Sequence, residues 1–146
     1  MLTSVYRLKI LSISIAALLM GCNDSPPAAS IEVAVDGIYG AALNSNASHA
    51  VIGSVNHGGS WWQLSPAERL FDWNHNNDQY ANITTAAITA DGRYAMTGET
   101  TTMVLWNTQT GKNLTYFKAP ADIHSIALTD MLGVGVLAAL GFSDFI

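Results

Sequence analysis

Hydrophobic positions divide the chain into three stretches. The first is the run Ile10-Leu-Ser-Ile-Ser-Ile-Ala-Ala-Leu-Leu-Met20, preceded by Arg7 and Lys9. The second spans residues 31–130, where short apolar runs alternate with Gly, Asn, Asp and Ser. That rhythm predicts β-strands joined by turns, and no convincing helical period interrupts it. The third is Met131-Leu-Gly-Val-Gly-Val-Leu-Ala-Ala-Leu-Gly141, apolar but without period two and without a turn signal after Asp130.

A basic start, a short apolar run and small residues at its end predict an export signal over residues 1–21, its apolar part helical. The run is eleven residues long, short of the roughly 20 that a spanning helix needs. It ends Leu19-Met20-Gly21-Cys22, which resembles the lipobox of bacterial lipoproteins. The resemblance implies cleavage before Cys22, a diacylglycerol on its thiol and an acyl chain such as palmitate on the new amine. Cys22 is the only cysteine, so it has no disulfide partner within the chain. Two or more acyl chains give stable anchoring where one does not. Residues 22–30, small, polar and proline-bearing, predict an extended lipidated tether. Asn23 follows the cysteine, and Asp24 comes one place later. In the resembled family that order favours the periplasmic face of the outer membrane over the inner membrane.

Charge then narrows the partners. Beyond residue 21 the basic residues are Arg69, Arg93, Lys112 and Lys118 against eleven acidic ones, so four minus eleven gives a formal charge of −7. An acidic surface repels phosphates and argues against nucleic acid, and it leaves membrane attachment to the lipid on Cys22.

The strand-rich stretch carries an internal repeat. Ala42-Leu-Asn44 aligns with Ala87-Ile-Thr89, and Ala50-Val-Ile-Gly53 with Ala95-Met-Thr-Gly98, both at an offset of 45. Trp62 aligns with Trp106, and Leu70 with Leu114, at an offset of 44. Ile123–Asp130 begins a third copy, offset by 40 from Ile83–Ala90. Periods of this length, with four short strands each, point to propeller blades. In the second copy the strands are expected at Ile83–Thr89, Tyr94–Gly98, Met103–Asn107 and Leu114–Lys118. Gly92 sits in the first turn, where a positive φ is needed.

Ile88-Thr-Ala-Asp-Gly-Arg-Tyr-Ala-Met-Thr-Gly98, with Val104-Leu-Trp-Asn107 and Thr110-Gly-Lys112, resembles a WD40 repeat. The likeness covers residues 83–118 well, 38–73 weakly, and 123–130 as a beginning. It implies an all-β fold, a partial β-propeller of about two four-stranded blades following the signal-peptide helix and the short linker. Trp62, Trp106, Gly92 and Gly98 are its structural repeat residues. Asn107 and Gln63 replace the usual Asp after Trp. No Gly-His pair precedes the inner strand, so the family's Trp–Ser/Thr–His–Asp hydrogen-bond set is expected to fill only two places, with Trp106 and Thr97. A quinoprotein-like propeller is the second resemblance.

A ring of blades closes with four or more, so two blades and part of a third leave apolar faces open. The loss of pattern in 131–146 points to a frameshift or early stop near residue 130. An ordinary apolar strand pair with a Gly turn is the next reading, and a membrane-inserting tail the last.

Candidate chemistry is sparse. His49, His57, His75 and His124 lack ligand spacing and read as exposed loop residues, with His124 within a strand, and not as a zinc site. Asn74-His-Asn-Asn-Asp78 lacks the spaced carboxylates of a calcium loop and reads as a polar inter-blade turn. Trp61 and Trp62 face opposite sides of a strand. Trp62 is expected in the core, by its match to Trp106, and Trp61 is the candidate contact residue. No nucleophile, phosphate or dinucleotide motif is present, so no catalytic residue, metal or cofactor is expected. The sequence thus suggests a membrane-tethered scaffold for a protein partner. The alternatives are a glycan or small-molecule binder and a fragment of a quinoprotein-like enzyme.

Overall fold

The computed structural model describes residues 30–76, 80–131 and 135–142. The signal segment, Cys22 and most of the tether lie outside the described residues, as do Asn77 and Asp78. Of two compact units, Met1–Ile31 and Glu32–Ile146, the second carries every described strand. No helix among the described residues is long and apolar enough to cross a membrane.

The first antiparallel sheet contains β1 (Ile38–Leu43), β2 (His49–Ser54), β3 (Gly58–Leu64) and β4 (Ala67–Trp73), ordered as in the chain. The second repeats that order with β5 (Thr85–Ile88), β6 (Tyr94–Glu99), β7 (Thr102–Asn107) and β8 (Asn113–Lys118). β9 (Ile123–Met131) and β10 (Gly135–Phe142) form a two-stranded antiparallel pair. The apolar stretch after Asp130 thus continues as a strand opened by Gly135, whose φ is +102°.

The repeat persists to the level of single hydrogen bonds. In the first β-β turn Asn46 Oδ1 accepts from Ser48 N at 3.0 Å, and in the equivalent turn Asp91 Oδ1 accepts from Arg93 N at 3.0 Å. Each is an Asx turn that folds the chain back within two residues. The Thr89 hydroxyl, fully buried, donates to Asp91 Oδ1 at 2.7 Å, while Asn44 occupies the equivalent buried place in the first sheet. Desolvation raises the Asp91 pKa. The hydrogen bonds from the Arg93 backbone, the Thr89 hydroxyl and the Arg93 guanidinium outweigh it and hold the carboxyl below its ordinary value.

Sheets meet where side chains are missing. A Cβ on Gly53 would stand 2.9 Å from the carbonyl oxygen of Ile83, and one on Gly98 would stand 2.8 Å from Cδ1 of Ile126. Ile83 leads into β5 and Ile126 lies on β9, so both glycines admit the inner strand of the following sheet. Ile83 N also donates to Ser54 O at 3.1 Å. The main core lies between the two four-stranded sheets, with Val51, Trp61 and Trp73 facing Ala95, Val104 and Trp106. Trp62 packs on the opposite face of β3 with Ala50 and Ile52, under Val33.

Candidate functional site

Trp106 Nε1 donates to Thr97 Oγ1 at 2.8 Å across β7 and β6. His75 Nε2 lies 2.9 Å from the same oxygen, and His75 Nδ1 lies 3.3 Å from Thr102 Oγ1. The Thr102 hydroxyl donates in turn to Glu99 O at 3.3 Å. The Thr102 proton is committed to Glu99 O, so His75 Nδ1–H donates to Thr102 Oγ1, and the unprotonated Nε2 accepts from the Thr97 hydroxyl, whose oxygen also accepts from the indole. Every group in this chain is satisfied, and the neutral Nδ1–H tautomer is the one that fits.

His75 overturns the loop reading. Its side chain is 1% exposed, with Glu99 Oε2 at 3.8 Å from Nδ1. Burial lowers its pKa, opposed by the Glu99 carboxylate and the Thr97 backbone. The Trp–Thr–His set, expected to fill two places, fills three, because Asn74-His75 stands where a Gly-His pair was sought. A histidine eight residues before Ile83 was the available signal. Its asparagine neighbours disguised it as a solvated turn. In the first sheet Trp62 Nε1 donates instead to Ser60 Oγ at 2.8 Å on its own strand. Ser60 is the cross-strand partner of Ile52, and Ile52 holds the position of Thr97. The hydroxyl has moved one strand over.

The two sheets are also joined by a ladder of rings. His49 stacks on Trp61 at 5.1 Å and 8°, Trp61 on Trp73 at 6.0 Å and 19°, and Trp73 on Trp106 at 5.0 Å and 5°. Trp73 Nε1 donates to Gly111 O at 3.0 Å, which fixes the register of the last pair. Trp61, the candidate contact residue, is 3% exposed within this ladder. Its burial overturns the contact reading, since stacking on His49 and Trp73 takes up both faces of the ring; Trp61 is one of the residues, with His49, Phe71, Arg93 and Gln109, that line a cleft of about 470 Å³. Arg93 at its rim is held by Asp91 and by Asp130 of β9, the latter at 2.6 Å. Two carboxylates against one guanidinium leave no free positive charge for an anion.

The other predicted residues fall into place around these features. Trp106 and Trp62 are buried on corresponding faces of their sheets, and Arg69 lies 4.9 Å over the Trp62 ring. Gly92 has φ +76° in the turn of the second sheet, and Gly98 faces Ile126. His49 is half-buried on β2 rather than exposed in a loop, while His57 is exposed beside Asp36. Among the described residues, no three metal-ligating side chains gather.

Four-stranded antiparallel sheets that follow one another through their inner strands, the second of them pinned by a Trp–Thr–His chain, are blades of a WD40-type β-propeller. Two such blades and the opening strands of a third make up the described part of this chain. Solved structures share this fold. The WD40 repeats of RRP9 match with a TM-score of 0.58 at 15% identity, over 66% of this chain and 30% of that one. The β-propeller domain of Myceliophteria_thermophila Cps50 (Swd1) matches with a TM-score of 0.57 at 18% identity, over 68% and 31%. Kuenenia stuttgartiensis hydrazine synthase matches with a TM-score of 0.55 at 10% identity, over 70% and 29%. The chain therefore spans about a third of the length of these structures. No family model matches the sequence, and no curated protein matches it significantly.

Proposed function

We propose that this chain is a lipid-anchored propeller module of a bacterial envelope, tethered through Cys22 on the periplasmic face, that offers its blades to another protein. The observation that supports the interaction role most directly is β8. All six of its residues are exposed, Leu114, Tyr116 and Phe117 among them. An outer strand bearing three large apolar side chains is a contact surface in the making. The tether rests on Leu19-Met20-Gly21-Cys22 behind the apolar run. The reading is non-enzymatic, and propeller folds host many functions.

Metabolic labelling with alkynyl palmitate, followed by fractionation, tests the anchor. Label and membrane association are expected for the native chain and lost for Cys22→Ser. Retention of both by the variant defeats the anchor. A photo-crosslinking residue at Tyr116 tests the partner, with discrete protein adducts expected in intact cells. The cleft over Trp61 favours a second reading, a glycan or small-molecule binder. Absent adducts together with ligand-dependent quenching of tryptophan fluorescence would replace the first reading with it.

A further inference from the structure

The cleft of about 470 Å³ is walled by two complete four-stranded sheets. From the first sheet, β2 gives it His49 and β4 gives it Leu70 and Phe71. From the second, the β5–β6 turn gives it Asp91 and Arg93, and the β7–β8 turn gives it Gln109. Its size lies in the range of ligand pockets, about 300–1,000 Å³. Gly111 packs on the Phe71 ring so closely that a Cβ there would stand 2.6 Å from Cδ1. That contact shuts one end, so the cleft suits a compact ligand and not a threaded extended chain.

Some polar groups along the cleft are already committed. Thr108 Oγ1 donates to Gly92 O at 2.6 Å, and His49 Nδ1 lies 2.8 Å from Ser48 Oγ. Others are not. Among the described residues, His49 Nε2, Arg93 Nη1 and the Gln109 side-chain amide make no hydrogen bond. Asp91 Oδ2 accepts from Arg93 Nε alone, which leaves it a second lone pair. The second sheet thus lines the cleft with donors and acceptors, and the first, His49 apart, lines it with apolar carbon. Charge excludes two ligand classes. Asp91 and Asp130 hold Arg93, so an anion finds no unpaired cation, while a cation would meet the guanidinium.

We infer that this cleft binds a neutral pyranose sugar, one or two rings long. Sugar hydroxyls both donate and accept. They can accept from Arg93 Nη1, donate to Asp91 Oδ2 and do either at Gln109, while His49 Nε2 serves the opposite wall. The C–H face of the ring is apolar and packs on Leu70 and Phe71. A few placed polar groups on an apolar lining orient such a ligand. The inference rests on the second reading above, binding at this cleft, and names its ligand class.

Saturation-transfer-difference NMR on the full chain in lipid nanodiscs tests it. Cellobiose and N,N′-diacetylchitobiose are the neutral probes, glucuronate is the anionic one, and indole is the probe without hydroxyls. Saturable binding of at least one neutral disaccharide is expected, and none of glucuronate. Gln109→Leu and His49→Phe, the second of which keeps a ring on Trp61, are each expected to weaken that binding about three- to tenfold. Lys118→Ala, on the exposed outer strand β8, is the unchanged control. Binding of neither disaccharide overturns the inference. So does equal binding by native, Gln109→Leu and His49→Phe chains of matching far-UV dichroism, or glucuronate binding as tight as that of the neutral sugars. If indole binds, loses affinity in Phe71→Ala, and no sugar binds, the small-molecule reading of the cleft stands and the sugar assignment falls. If neither indole nor sugar binds, both fall.

Discussion

Ala47 occupies in the first sheet the backbone position that Gly92 occupies in the second. The two residues are 45 apart, and their φ angles are +53° and +76°. A left-handed residue with a Cβ costs about 1–2 kcal/mol relative to the right-handed region, and glycine largely avoids that cost. Ala47→Gly is therefore expected to stabilise the protein by about 1 kcal/mol in urea unfolding, and Gly92→Ala to destabilise it by a similar amount. An unchanged midpoint for both would show that neither turn carries strain.

Thr97 relays between an indole and an imidazole, so removing its hydroxyl leaves two buried groups without partners. Thr97→Val is expected to cost about 2–4 kcal/mol by equilibrium unfolding, while Thr97→Ser retains most of the stability. Equal loss in both variants would assign the effect to the methyl group rather than to the hydrogen bonds.

His75 makes stability depend on pH with a definite sign. Burial lowers its folded-state pKa below the ordinary value of 6.5. Above 6.5 both folded and unfolded forms are neutral, and the contribution of the neutral ring is present in full. As pH falls below 6.5 the unfolded chain takes up the proton first, and stability drops toward the lowered folded pKa. Unfolding free energies of native and His75→Gln chains from pH 8 to 5 should diverge in slope below that point, the native falling more steeply. Parallel curves would remove His75 from the buried network.

Trp73 is sandwiched between Trp61 and Trp106 and is 1% exposed. Trp73→Ala is expected to cost about 3–5 kcal/mol, as for large aromatic truncations in cores. Trp73→Phe keeps much of the packing but breaks the run of stacked indoles, and should reduce the near-ultraviolet dichroism of the other tryptophans. Near-ultraviolet signals that remain the sum of isolated indoles in both native and variant chains would show that the stack does not persist in solution.

Local features carried most of the blade architecture into the sequence. The Asp91-Gly92-Arg93 turn, the alternation in Tyr94–Gly98 and the place of Trp106 mark β5–β8 within a residue or two. In the first sheet the Asn-based turn and the hydroxyl shifted to Ser60 weaken the WD40 pattern while keeping the turn and an indole–hydroxyl bond. The candidate site was less legible. The stacking of Trp73 on Trp106 depends on how two sheets pack, which no spacing within either sheet specifies. His75 was obscured because its partners, Thr97 and Thr102, lie more than twenty residues away, while its asparagine neighbours favour a turn. β10 was obscured because period two fades in a strand that lies largely exposed on both sides.

The Trp106 hydrogen-bond chain takes its histidine from the segment that precedes its sheet, and the sheet's notch at Gly98 holds a strand that follows it. The heritable unit is thus staggered, like a roof tile lapping its neighbours. A duplication cut cleanly at Thr85 and Lys118 would copy four strands and leave behind the imidazole that locks them. A cut in the segment before His75 would carry the lock with the sheet.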